Sequence, residues 1–72
     1  MQKVGFKNYG TKQAQSWKLT FNGHVFGDQK AFRTLDEARA EAQRYFDGEK
    51  GDGSVSYRLD ASNYCRAISD AR

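Results

Sequence analysis

The chain has 72 residues, 38% of them hydrophobic and 29% charged, with a mean hydropathy of −0.93 and a formal net charge of +3. That length suits one domain with one small core and no deep catalytic pocket. No apolar run approaches the ~18 residues of a membrane span, and a single cysteine rules out an internal disulfide framework.

The segment MQKVGFKN has neither the apolar stretch nor the small-residue cleavage site of a secretory signal. A lone thiol, Cys65, suits a reducing compartment, so the expected location is the cytoplasm. Within the segment Val4 and Phe6 alternate with Lys3 and Lys7, the pattern of a weak strand, and NYGTKQAQ follows with the composition of a flexible loop.

WKLTFN alternates more cleanly: Trp17, Leu19 and Phe21 point one way and Lys18, Thr20 and Asn22 the other. Asn22-Gly23 is the preferred dipeptide of a type I′ turn, which needs positive φ at both central residues. The spacing therefore predicts a hairpin over residues 16–33, with Leu19 opposite Phe26 and Phe21 opposite His24 on the core face. Gly27-Asp28 offers either a bulge or a second turn.

Thr34 and Glu37 form a capping box that opens a helix over 34–47. Leu35, Ala38, Ala42, Tyr45 and Phe46 make its apolar stripe, and Gly48 supplies the left-handed stop. After the glycine-rich GEKGDG, a strand is predicted over 54–60 with Val55, Tyr57 and Leu59 inward and Ser54, Ser56 and Arg58 outward. NYCRAIS reads as a short edge strand, and the final DAR as a frayed end.

The helix stripe and the apolar strand faces need each other. The expected architecture is a single α+β domain over 1–72: a two-layer sandwich of β-β-α-β order, with an antiparallel sheet, room for a further strand at each end, and one amphipathic helix on one face. Of the ten aromatic residues, Trp17, Phe21, Phe26, Phe46 and Tyr57 fall on inward faces, while Tyr9 and Tyr64 are expected at the surface.

Catalytic and metal chemistry finds little support. His24 is the only histidine, too isolated for a metal site, and reads as a hairpin residue. Nothing in the sequence activates Cys65, whose ordinary role is that of a small buried hydrophobe. GEKGDGS has two glycines at phosphate-loop spacing but lacks the lysine such a loop needs after the second. Asp47, Glu49 and Asp52 miss the register of a calcium loop. The expectation is no enzyme, no metal and no cofactor.

Charge is unevenly placed. Residues 1–33 hold Lys3, Lys7, Lys12, Lys18, Lys30 and Arg33 against Asp28 alone, a net charge of +5, whereas residues 34–72 carry −2. The open sheet face should display Lys18, Thr20, Asn22, Ser56 and Arg58, with Lys3 and Lys7 if the first segment joins. Lysine outside an alternating strand ordinarily serves solubility and discourages edge pairing. Segregation of the acids Asp36, Glu37, Glu41, Asp47 and Glu49 to the helix layer points beyond solubility, to a negatively charged partner.

Two resemblances add to this reading. The run Trp17-Lys-Leu-Thr-Phe-Asn-Gly, followed by Phe32-Arg-Thr34-x-x-Glu37-Ala38, is similar to the strand-strand-helix pattern of integrase arm-site-binding domains and of plant APETALA-type DNA-binding domains. That likeness covers residues 3–46 and implies a three-stranded sheet lying in the DNA major groove. The spacing between turn and helix, the scarcity of arginine on the sheet and the strand after the helix all depart from it. Over residues 17–60, a short hairpin, the pentad Thr34-Leu-Asp-Glu-Ala38 and a returning strand resemble the small phage inhibitor of bacterial RNA polymerase and, more loosely, several small phage anti-CRISPR proteins. These are non-enzymatic and act by occupying a surface on a host nucleic-acid-handling machine.

The expected function is thus that of a phage or mobile-element accessory protein, a monomer or weak dimer in the host cytoplasm with no membrane partner. It binds and inhibits a host protein or ribonucleoprotein complex that handles nucleic acid. The expected contact surface is Lys18, Thr20, Asn22, His24 and Arg58, flanked by Lys7, Lys12, Lys30 and Arg33. The alternatives are direct duplex DNA binding through the same strands, and a structural domain that oligomerises by strand-edge pairing.

Overall fold

A computed structural model of the chain describes residues 1–25, 29–51 and 53–70. The elements run β1 (Gln2–Asn8), β2 (Trp17–Phe21), α1 (Leu35–Phe46), β3 (Tyr57–Leu59) and α2 (Ala61–Asp70). The sheet order is β2-β1-β3, which makes the N-terminal strand the central one. β1 and β2 are antiparallel, with Val4 opposite Phe21, Phe6 opposite Leu19 and Lys7 opposite Lys18. β3 joins the other edge of β1 in parallel, so the sheet is mixed rather than antiparallel throughout.

Alternation divides the sheet cleanly. One face carries Val4, Phe6, Trp17, Leu19 and Phe21, all buried together with Ala38 and Ala42 of α1. Phe21, Tyr45 and Tyr57 meet edge to face at centroid distances of 5.2, 5.3 and 6.2 Å. The other face carries Lys3, Gly5, Lys7, Lys18, Thr20 and Arg58. The α+β sandwich read from the sequence is the architecture of the chain.

Local chemistry sets the α1 boundaries where the sequence places them. Thr34 Oγ1 accepts the Glu37 N–H at 3.2 Å. At the other end the Gly48 N–H donates to Tyr45 O and the Glu49 N–H to Arg44 O, with Gly48 at φ 77°, the paired closing bonds of a Schellman motif.

The Asn22-Gly23 turn also forms as expected, with φ of 53° and 85° and reciprocal backbone bonds between Phe21 and His24. Among the described residues, the returning arm pairs with β2 again at a bridge between Phe32 and Trp17. The predicted Leu19–Phe26 pair, the Gly27-Asp28 turn, Asp52 and the last two residues of the DAR tail lie outside the described residues.

The C-terminal segment departs furthest from expectation. NYCRAIS belongs to helix α2, not to an edge strand. Asp60 starts it: Asp60 Oδ1 accepts the Asn63 N–H at 3.4 Å, and Asp60 O accepts the Tyr64 N–H at 2.9 Å. Asn63, Tyr64 and Ala67 then fall three, four and seven residues after Asp60, one stripe of a helix, and turn toward β1.

This stripe straddles the sheet edge where β3 stops. Tyr64 packs on Phe6 on the α1 side, with ring centroids 5.7 Å apart, and so belongs to the core rather than the surface. Asn63 reaches over the opposite face. A Cβ on Gly5 would lie 2.7 Å from Asn63 Cβ, Asn63 Nδ2 and Thr20 Oγ1. Glycine in the middle of the central strand is the condition for this close approach.

Two further expectations are corrected at the same edge. β3 is confined to residues 57–59, so Val55, expected inward, precedes it and is 39% exposed, and Leu59, also expected inward, is 37% exposed because β3 is an outer strand with no neighbour beyond it among the described residues. Cys65 is exposed on α2, not buried.

Candidate polyanion-binding face

The uncovered side of the sheet gathers like charge in direct opposition. Lys7 stands opposite Lys18 across β1 and β2, and Lys3 stands opposite Arg58 across β1 and β3. Like charges directly across a ladder destabilise a sheet. None of these four residues makes an ion pair with a described carboxylate. Two acids of the helix layer pair locally instead: Glu41 with Lys50 at 2.9 Å and Arg44 at 3.5 Å, and Glu49 with Arg44 at 3.3 Å.

Tyr9 meets the repulsion at one end. It lies two residues after Lys7, on the same face, and both ammonium groups stand over its ring, Lys7 Nζ 5.1 Å and Lys18 Nζ 5.8 Å from the centroid. The negative ring face partly offsets two adjacent positive charges. The tyrosine nevertheless remains 53% exposed.

The loop presenting Tyr9 is closely tied, contrary to the flexible composition of NYGTKQAQ. Asn8 Oδ1 accepts both the Gly10 N–H and the Ser16 N–H at 2.9 Å, and Asn8 Nδ2 donates to Thr11 O at 3.4 Å. The Tyr9 N–H donates to Ser16 O at 2.8 Å, and the Ala14 N–H to Thr11 Oγ1 at 3.0 Å. One asparagine side chain thus supplies the partners that a sheet would have supplied.

The opposite end of the face is less positive. Lys3 and Arg58 line a shallow cavity of about 270 Å³ together with Leu59, Asp60, Ala61 and Ser62. Here Asp60 brings a carboxylate, itself engaged by Asn63 at 3.0 Å. Between the two ends Gly5 and Thr20 are covered, with Asn63 Nδ2 3.5 Å from Thr20 Oγ1.

The residues expected from the sequence therefore separate. Lys7, Lys18 and Arg58 share the face, and Lys12 is exposed in the loop at the Tyr9 end. Thr20 shares it but is only 3% exposed, because α2 folds over it, and so is not displayed. Asn22 is used by the fold: its Oδ1 accepts the Lys3 N–H at 3.0 Å and its own N–H donates to Lys3 O at 2.8 Å.

His24 pairs with Phe21 as expected but stands exposed at the far end of β2 from Tyr9, where a two-residue turn places it at the sheet rim. Lys30 and Arg33 leave the face altogether. Lys30 lines a cavity of about 480 Å³ on the helix side with Leu19, Phe21, Phe32, Glu41 and Tyr45. Arg33 is exposed on the approach to α1, immediately before its cap.

The expected site lacked Tyr9, although its spacing from Lys7 carries the signal: residues two apart on an extended strand share a face. It also lacked Asn63, for which the sequence holds no comparable signal, because its place depends on how α2 meets β1. Among the described residues no cluster of three or more His, Cys, Asp or Glu is placed to hold a metal ion, and no helix is long and apolar enough to cross a membrane. Neither a protein-family model, a curated protein nor a solved structure matches the chain.

Proposed function

We propose that the chain is a non-catalytic accessory protein that docks on a host nucleic-acid-handling complex through the basic face of its sheet and inhibits it. The observation that carries this reading is the pair of like-charge oppositions, Lys7 with Lys18 and Lys3 with Arg58, on one face without described carboxylate partners. A fold under selection for stability alone has no use for them. Their cost is offset when a polyanionic partner neutralises both members of a pair.

The reading predicts opposite effects on stability and function. With Lys7→Gln and Lys18→Gln combined, removal of the cross-strand repulsion should leave the melting temperature unchanged or raise it, by up to about 1 kcal/mol of stability. The same variant should lose most of its inhibition in reconstituted bacterial transcription or CRISPR-effector cleavage reactions, whichever the wild-type chain inhibits. Full inhibition by a folded double variant would remove this face from consideration.

Binding of the bare sheet in a duplex major groove is disfavoured by Asn63, which stands over Gly5 and Thr20 in the middle of the face. Retention of radiolabelled duplex at low salt, as tight as that of the complex itself, would favour the direct duplex reading instead.

A further inference from the structure

From the Tyr9 end of the face we infer that the group contacted on the target is single-stranded nucleic acid, one base stacking on Tyr9 while adjacent phosphates lie against Lys7 and Lys18. This inference rests on the docking reading above and names the chemistry of the same surface. Three observations carry it.

Part of the aromatic surface is available beside the two ammonium groups that stand over it. Tyr9 is 53% exposed, whereas Tyr64, the other tyrosine expected outside, is packed on Phe6. An unpaired base offers a π-face to such a ring, and a base stacked inside a duplex does not.

The loop that carries the ring is also tied down before anything binds. The Asn8 bonds to Gly10, Thr11 and Ser16, with the Thr11–Ala14 contact, fix the loop on both sides of Tyr9. An aromatic platform already ordered in the free protein spends little conformational entropy on binding.

Finally, the charge sits where a backbone would run. Two ammonium groups lie 5.1 and 5.8 Å from the ring centroid with no described carboxylate to compete, and exposed Lys12 lies in the same loop. A stacking ring flanked by cations is the arrangement by which single strands are held without sequence preference. The other end of the face has Asp60 and no aromatic ring described beside Lys3 and Arg58, so it offers charge alone.

The test is fluorescence anisotropy with labelled dT12, labelled U12 and a labelled 20-base-pair duplex, titrated with the wild-type chain and with Tyr9→Phe, Tyr9→Leu, Lys30→Gln and the Lys7→Gln, Lys18→Gln double variant. Circular dichroism confirms that each variant is folded. The expected result is tighter binding of dT12 or U12 than of duplex, with a preference between the first two reporting on the sugar. Tyr9→Leu should weaken single-strand binding about 5- to 150-fold and Tyr9→Phe little, because the ring is what stacks. The double lysine variant should lower the slope of log K against log salt by about 1.4, the counterion release of two phosphates on a single strand. Lys30→Gln, on the helix side, should bind as wild type.

Duplex bound as tightly as dT12 and U12, or single-strand binding indifferent to Tyr9→Leu, overturns the inference while leaving the docking face in place. Failure to bind any of the three at low salt also overturns it. The docking reading then stands or falls separately, on whether the double lysine variant still inhibits.

Discussion

Replacing Trp17 by alanine is expected to cost about 3–5 kcal/mol, the range for truncating a buried tryptophan. Trp17 is 0% exposed and is the largest fully buried side chain of the described core. Its backbone pairs with Phe32 in both directions at 2.7 Å and its Nε1–H donates to Gln15 Oε1 at 2.9 Å. The residue therefore joins the start of β2, the arm leading into α1 and the end of the β1–β2 loop.

A chain of this length has a total stability of roughly 4–11 kcal/mol, so the substitution removes a large fraction of it. At about 4–8 °C per kcal/mol, the melting temperature should fall by roughly 12–40 °C, and the variant should be partly unfolded at 37 °C if the wild type is near the lower bound. Trp17→Phe separates the two contributions: it keeps most of the packing and loses the Gln15 bond, for a cost expected to be near 1–2 kcal/mol. Urea denaturation followed by circular dichroism measures both. A fall of less than about 5 °C for Trp17→Ala would show that the ring is not the anchor of this core.

The second large effect is expected at Gly5. In most central strands glycine is a weakness, and alanine or valine should improve it by about 0.5–1 kcal/mol. Here a Cβ would stand 2.7 Å from two atoms of Asn63 and from Thr20 Oγ1, closer than real Cβ contacts allow. Because Asn63 Cβ is fixed to the α2 backbone, the helix itself has to move.

Gly5→Val is therefore expected to destabilise by about 1–3 kcal/mol, the usual cost of overpacking. The loss should be local, appearing as faster amide exchange over residues 61–70 before the β1–β2 ladder is affected. Asn63→Gly in the same chain makes room and should recover part of the loss, although it forfeits the contacts with Thr20 and Asp60. A double-mutant cycle measures that coupling, expected at about 0.5–3 kcal/mol for residues in contact. Strict additivity would mean that α2 does not rest on Gly5.

These two positions mark the division between what was legible in the sequence and what was not. Trp17, Leu19 and Phe21 alternate with polar residues, Asn22-Gly23 has turn chemistry, and Thr34, Glu37 and Gly48 bracket one apolar stripe. Each of these signals is local, carried by the chain's own period or by one side chain satisfying a nearby backbone group. They were sufficient for the helix-on-sheet sandwich and for the basic face with Lys7, Lys18 and Arg58 on it.

What the sequence left open depends on contacts between distant segments. The pairing partner of β3, and hence a mixed sheet, is decided by which edge of β1 remains free once β2 has taken the other. The conversion of NYCRAIS from an expected strand to a helix turns on Asp60, whose carboxylate starts the helix, and on β1, whose side receives Asn63, Tyr64 and Ala67. A short apolar run fits either period until its neighbour is known. That helix then buries Thr20 and divides the open face, leaving Tyr9 with two lysines at one end and Lys3 with Arg58 at the other. Alternation by itself determined which residues could share a face; only tertiary packing decided which of them stay uncovered, because burial depends on what the rest of the chain lays over them.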